Sequence, residues 1–78
     1  MELIVLSQNG CAPCKIVKNF LNDEEIAFTE YNISNQPEKV SEYNIMSTPV
    51  TILMDEDEEI ARINGFSPDD LLALAEQI

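Results

Sequence analysis

Apolar residues fall along this chain in two kinds of segment: short aliphatic or β-branched runs, and longer stretches in which they return every three or four positions. Residues 2 to 7, Glu-Leu-Ile-Val-Leu-Ser, are of the first kind and predict a strand buried on both faces of a mainly parallel sheet. The Gln8-Asn9-Gly10 turn leads into Ile16, Val17, Phe20 and Leu21 at helical spacing, with Lys15, Lys18 and Asn19 between them, which predicts an amphipathic first helix. After the polar break Asn22-Asp23-Glu24-Glu25, the aromatic and β-branched content of Ile26 to Ile33 predicts a second strand. Ser34, Asn35 and Gln36 before Pro37 carry N-cap chemistry for a short second helix with Val40 and Tyr43 on one face. Val50 to Met54 and Glu59 to Asn64, the latter with Ile60 and Ile63, predict a hairpin closed by the polar residues Asp55 to Glu58. Ser67-Pro68-Asp69-Asp70 then combines a capping serine, proline at the first helical position and an acid three residues after the cap. A helix is expected to follow, with Leu71, Leu74, Ala75 and Ile78 on its apolar face.

The predicted order is β-α-β-α-β-β-α. A right-handed crossover would join the first two strands and a hairpin the last two, giving an α/β fold with a four-stranded mixed sheet and helices on both faces. With 78 residues there is room for one domain, 1–78. No stretch approaches the roughly 20 apolar residues of a membrane span. Met1 to Leu6 has neither the basic leader nor the cleavage site of a signal peptide, so a soluble cytoplasmic monomer is expected.

Charge and composition narrow the chemistry. Fifteen acidic against four basic side chains give a net charge of -11, which repels phosphate backbones and anionic lipid, so nucleic acid and membrane are not expected partners. The surplus serves solubility first, although it would also steer a partner with a basic patch. Histidine is absent, which excludes hydrolysis by an imidazole base within this chain.

What remains is a cysteine pair, Cys11-Ala12-Pro13-Cys14, at a strand-to-helix junction. Free N–H groups and the helix dipole at such a junction favour a thiolate at Cys11, the candidate nucleophile. Cys14 lies about one turn further on, within disulfide reach and shielded by that turn, as a resolving thiol requires. Pro13 stiffens the turn where a missing donor costs little, and Lys15 and Lys18 add local positive charge. Such a dithiol carries two electrons and two protons by itself, so neither metal nor organic cofactor is expected. Two structural alternatives compete. Structural zinc normally takes four ligands and only half a set is present, and a structural disulfide over so short a loop restrains the unfolded chain weakly.

Cys11-Ala-Pro-Cys14-Lys15, read together with Ser47-Thr48-Pro49, resembles the thioredoxin and glutaredoxin superfamily over the whole chain. The resemblance implies a thioredoxin-like fold. It also implies a cis bond before Pro49, which would face the cysteines, and a Thr48 backbone free to pair with an extended substrate segment. The short start Met1 to Ser7, the Pro49-Val50 step and Gly65-Phe66-Ser67-Pro68-Asp69 are similar to the NrdH-type redoxins, the glutaredoxin-like proteins that pass electrons to ribonucleotide reductase. Ser67 stands where that group usually has arginine. The Ala-Pro interior, Ser-Thr-Pro and the acidic hairpin are closer to thioredoxins.

The Gly-Gly-x-Asp-Asp segment and motif tyrosine of glutathione-dependent glutaredoxins are missing, and Asp69 and Asp70 read as first-turn helix charges. Thioredoxins also bury an aspartate in the first strand, where this chain has apolar residues including Val5, so no carboxylate is expected to assist Cys14. Gly65 allows an unusual backbone conformation or a close approach to the pair, and Phe66 either flanks the groove or, as favoured here, packs beneath the last helix. The expected function is reduction of protein disulfides, with electrons supplied by a thioredoxin-reductase-type flavoenzyme and ribonucleotide reductase a candidate recipient. Glutathione as reductant, or an acidic binding module with a zinc-linked pair, are the alternatives.

Overall fold

The computed structural model describes residues 1–78. Strands β1 (Glu2–Ser7), β2 (Thr29–Asn32), β3 (Val50–Asp55) and β4 (Glu58–Asn64) alternate with helices α1 (Ala12–Asp23), α2 (Glu38–Tyr43) and α3 (Pro68–Ala75) in the predicted order. The sheet runs β2-β1-β3-β4. β1 pairs parallel to β2, with Ile4 opposite Thr29, and antiparallel to β3, with Ile4 opposite Ile52. β3 and β4 form the antiparallel hairpin, so the sheet is mixed.

The unbroken apolar run of β1 follows from its central position. Period-2 alternation sends Leu3 and Val5 to one face, where they meet Val17 and Leu21 of α1, Leu53 of β3, and Leu71 and Leu74 of α3. Ile4 and Leu6 point to the other face and join Val50, Ile52 and Ile45, with Val40 and Tyr43 of α2 packed against them. Helices thus cover both faces, as a central strand apolar on both sides requires. The chain has no helix long and apolar enough to cross a membrane.

Several element ends differ from the sequence expectation. The second strand is four residues, not Ile26 to Ile33, because α1 closes over its start. The Ile26 N–H donates to the Leu21 carbonyl and Glu25 turns with φ 57, so Ile26 and Phe28 pack on the α1 and α3 side as loop residues. At α2 the cap position falls on Pro37, with no side-chain cap, and Asn44 ends the helix in the left-handed conformation. Ser34 is used elsewhere. On α1 the buried row is Cys14, Val17 and Leu21, while Ile16 stays exposed, because the sheet covers only one side of the helix. α3 stops at Ala75, leaving Ile78 outside its apolar face, and Ser67 donates its hydroxyl to Asp70 at 2.8 Å while its oxygen accepts no backbone N–H as a cap. Near the hairpin tip, Leu53 pairs with Ala61 but Met54 with Glu59. The extra residue is Ile60, a bulge that leaves its side chain exposed.

Candidate active site

The site forms where the C-terminal end of β1, the start of α1, the start of β3 and the end of β4 meet. Gly10, with φ 73, turns the chain out of β1, and Cys11 takes the N-cap position of α1 in an extended conformation. Its Sγ accepts the Cys14 backbone N–H at 3.2 Å, meeting one of the donors that a helix start leaves free. Cys11 and Cys14 are joined as a disulfide, with Cα atoms 5.3 Å apart. The two sulfurs differ in access. Cys14 is 1% exposed and belongs to the buried row of α1, whereas Cys11 is half-buried with exposed Ala12 and Pro13 beside it. Any thiol or disulfide arriving from solvent meets Cys11 first.

Two distant segments complete the surroundings. The Thr48–Pro49 peptide is cis, Pro49 is buried, and its carbonyl accepts the Gly65 N–H at 2.9 Å, where Gly65 has φ 80. That bond ties the turn before β3 to the end of β4. Thr48 places its hydroxyl 3.6 Å from Cys11 Sγ. Phe66 is 42% exposed and sets its ring edge-on against Phe20 of α1, with centroids 5.6 Å apart. The ring thus rests on the first helix, where the sequence expectation is packing beneath the last, and stays partly open to solvent.

Lys15 is exposed in the second turn of α1, and no carboxylate pairs with it. The chain's other three cations are engaged: Lys18 with Glu30 at 2.8 Å, Lys39 with Glu42 at 3.2 Å and Arg62 with Glu59 at 2.7 Å. The hydrogen bond from Lys18, together with one from the buried Ser7 hydroxyl at 2.6 Å, holds the Glu30 carboxyl below its ordinary range.

Other features had no sequence signal specific enough to find them. Asn9 and Asn32 join side chain to side chain at 3.0 Å, and Ser34 Oγ accepts the Asn9 N–H at 3.0 Å, lashing the loop before Cys11 to the end of β2. Beside Thr48 an apolar recess opens between Ile33, Val40 and Ile45, with Met46 fully exposed at its rim. These residue types are common in loops, and only the fold brings them together. No group of three or more His, Cys, Asp or Glu side chains is placed to hold a metal ion.

A four-stranded mixed sheet with a Cys-x-x-Cys disulfide at the first helix's tip and a cis-proline beside it defines the thioredoxin-fold class of redox protein. Solved thioredoxin structures superpose on it. That of Malassezia sympodialis thioredoxin has a TM-score of 0.84 at 20% identity, over 96% of this chain and 71% of that one. The thioredoxin-like protein BC3987 gives 0.71 at 27% identity, over 94% and 99%. Sequence comparison is more specific. The Glutaredoxin family model matches residues 3–63. The glutaredoxin-like protein NrdH of Lactococcus lactis subsp. cremoris is 43% identical over 74 residues, covering 91% of this chain and 96% of the relative. The SPbeta prophage-derived thioredoxin-like protein YosR of Bacillus subtilis is 39% identical over 79 residues, 100% and 99% respectively. The chain belongs to the glutaredoxin family, as an NrdH-like redox protein with a disulfide-capable Cys-x-x-Cys pair.

Proposed function

We propose that this chain is a protein-disulfide reductase, a dithiol electron carrier of one thioredoxin-like domain acting in the reducing cytoplasm as a monomer without metal or organic cofactor. The observation that carries this reading is the unequal exposure of two bonded sulfurs at one helix start, half-buried Cys11 and sealed Cys14. Cys11 is the nucleophile. Its thiolate attacks one sulfur of a substrate disulfide, that S–S bond breaks, and the sulfur released takes up a proton. Cys14 then gives up its proton and attacks Cys11 Sγ, so the second substrate sulfur leaves and is protonated in turn. The substrate has gained two electrons and two protons, and the Cys11-Cys14 disulfide has formed.

Ala12 and Pro13 keep the first turn stiff and Lys15 offers a cation at the rim. The Thr48 backbone, Pro49, Gly65 and Phe66 border the path by which an extended substrate segment reaches Cys11. A flavoenzyme of the thioredoxin-reductase type restores the dithiol, which the absence of the glutathione-binding segment favours over glutathione. The likeness to NrdH-type redoxins supports ribonucleotide reductase as a recipient.

Insulin reduction coupled to NADPH and a thioredoxin reductase tests this reading. Turnover is expected with the flavoenzyme and none with glutathione and glutathione reductase alone. Cys11→Ser should abolish it, and Cys14→Ser should accumulate a mixed disulfide through Cys11. Equal trapping by both variants would overturn the assigned roles.

A further inference from the structure

Cys11 Sγ meets two donors, and only one belongs to its helix. The Cys14 N–H is a consequence of the N-cap position, and any residue at Cys14 other than proline would supply it. The second, the Thr48 hydroxyl at 3.6 Å, comes from a residue 37 positions away. That distance is ordinary for a hydroxyl donating to sulfur, whose radius exceeds that of oxygen.

Resting on the reading of Cys11 as nucleophile, we propose that the Thr48 hydroxyl is a catalytic group that donates a hydrogen bond to the Cys11 thiolate, lowering the pKa of that thiol and raising its reactive fraction at neutral pH. Ionisation breaks the Cys11 S–H bond, sends the proton to solvent and leaves the electron pair on Sγ. Thr48 keeps its own proton and shares it in the hydrogen bond. An ionised sulfur accepts such a bond far more strongly than a thiol does, so the bond selects the charged form.

Three observations give the donor its weight. A net charge of -11 works against forming another anion anywhere on this chain, and no histidine is present to offset it. Local donors at the sulfur must therefore overcome the field of the whole molecule. Thr48 is also held from its C-terminal side, since Pro49 is buried and its carbonyl accepts the Gly65 N–H, an anchor that involves neither cysteine. Finally, the hydroxyl serves Cys11 alone. Cys14 is buried and accepts no comparable bond, so Thr48 separates the two thiols in acidity and keeps the attacking one ionised first.

The test is a titration of Cys11 by its thiolate ultraviolet absorbance in a Cys14→Ser background, where one thiol reports. Thr48→Val preserves the β-branched shape and removes the donor. It should raise the midpoint by about one pH unit and slow alkylation by iodoacetamide several-fold at neutral pH. Thr48→Ser should restore both. Thr48→Ala, which lacks the donor but packs differently, should agree with valine, and far-UV circular dichroism verifies that each variant is folded. An unchanged midpoint in folded valine or alanine variants, or a serine variant that titrates like valine, overturns the proposal. The titration reads the thiol and not turnover, so this result is independent of whether the insulin assay succeeds.

Discussion

Thr51 stands at the centre of β3, fully buried, with a side-chain hydroxyl that finds no hydrogen-bond partner. Alternation along the strand puts it on the same face as Leu53, beneath α1 and α3, between Val5 of β1 and Ile63 of β4. Removing a hydroxyl from water without a partner costs more than it returns, whereas valine has the same shape and nothing to satisfy. Thr51→Val is therefore expected to raise unfolding stability by about 1 kcal/mol, measured by urea titration. A loss of stability would mean that the hydroxyl has a partner in solution. Thr48, three residues earlier, makes the contrasting case, because its hydroxyl has an acceptor in Cys11. The same side chain is dispensable at one position of this segment and chemically used at the other.

Among the elements, α3 depends most plainly on its surroundings. Eight residues are too few for a helix to persist alone in water. Pro68 at its start and Asp69 and Asp70 in its first turn favour initiation, but Leu71 and Leu74 hold it to the sheet. Leu71 is fully buried among Val5, Val17, Leu21 and Leu53, while its neighbour Leu72 is 38% exposed. Leu71→Ala should cost about 2–5 kcal/mol, a large part of the roughly 5–15 kcal/mol by which small proteins are stable. Leu72→Ala should fall within about 0.5 kcal/mol of the parent. Equal losses in chemical denaturation would contradict this division of the helix into covered and open sides. α2 is anchored differently. Lys39 lies 4.2 Å from the centre of the Tyr31 ring, and Tyr31 stacks against Tyr43 with centroids 6.2 Å apart, joining α2 to β2.

At the scale of the molecule, charge is distributed unevenly. Asp55 to Glu59 at the hairpin, Asp23 to Glu25 at the end of α1, and Glu2 all lie toward the end of the sheet away from the cysteines, whereas Lys15 and Lys18 lie on the helix that carries them. The surplus repels other copies of the chain and so opposes association through exposed Met46, Phe66, Ile16 and Ile78. With a pI of about 4.1, acidification toward that value removes the repulsion. Light scattering is expected to peak near pH 4.1 and fall again on either side. Scattering that stays flat through this range would show that these apolar side chains do not drive association.

Much of the architecture is decided within a few residues and is legible there. The two-sided apolar run of β1 implies a central strand, the spacing of Val17 and Leu21 implies a covered helix, and Ser67-Pro68 marks the start of α3, because periodicity and capping operate over one turn or one strand. Cys11 at a helix tip is likewise a local fact, since its dipole and free N–H groups come from the next four residues. The environment of the sulfur is different. That Thr48 donates to Cys11, that Phe66 rests on Phe20, that Ser34 holds Asn9 and not α2, and that α1 shortens the second strand to Thr29–Asn32 all depend on segments far apart in the chain. Their meeting is set by the pairing order β2-β1-β3-β4, which buries both faces of β1 at once and is a property of the whole packed sheet, not of any stretch of it.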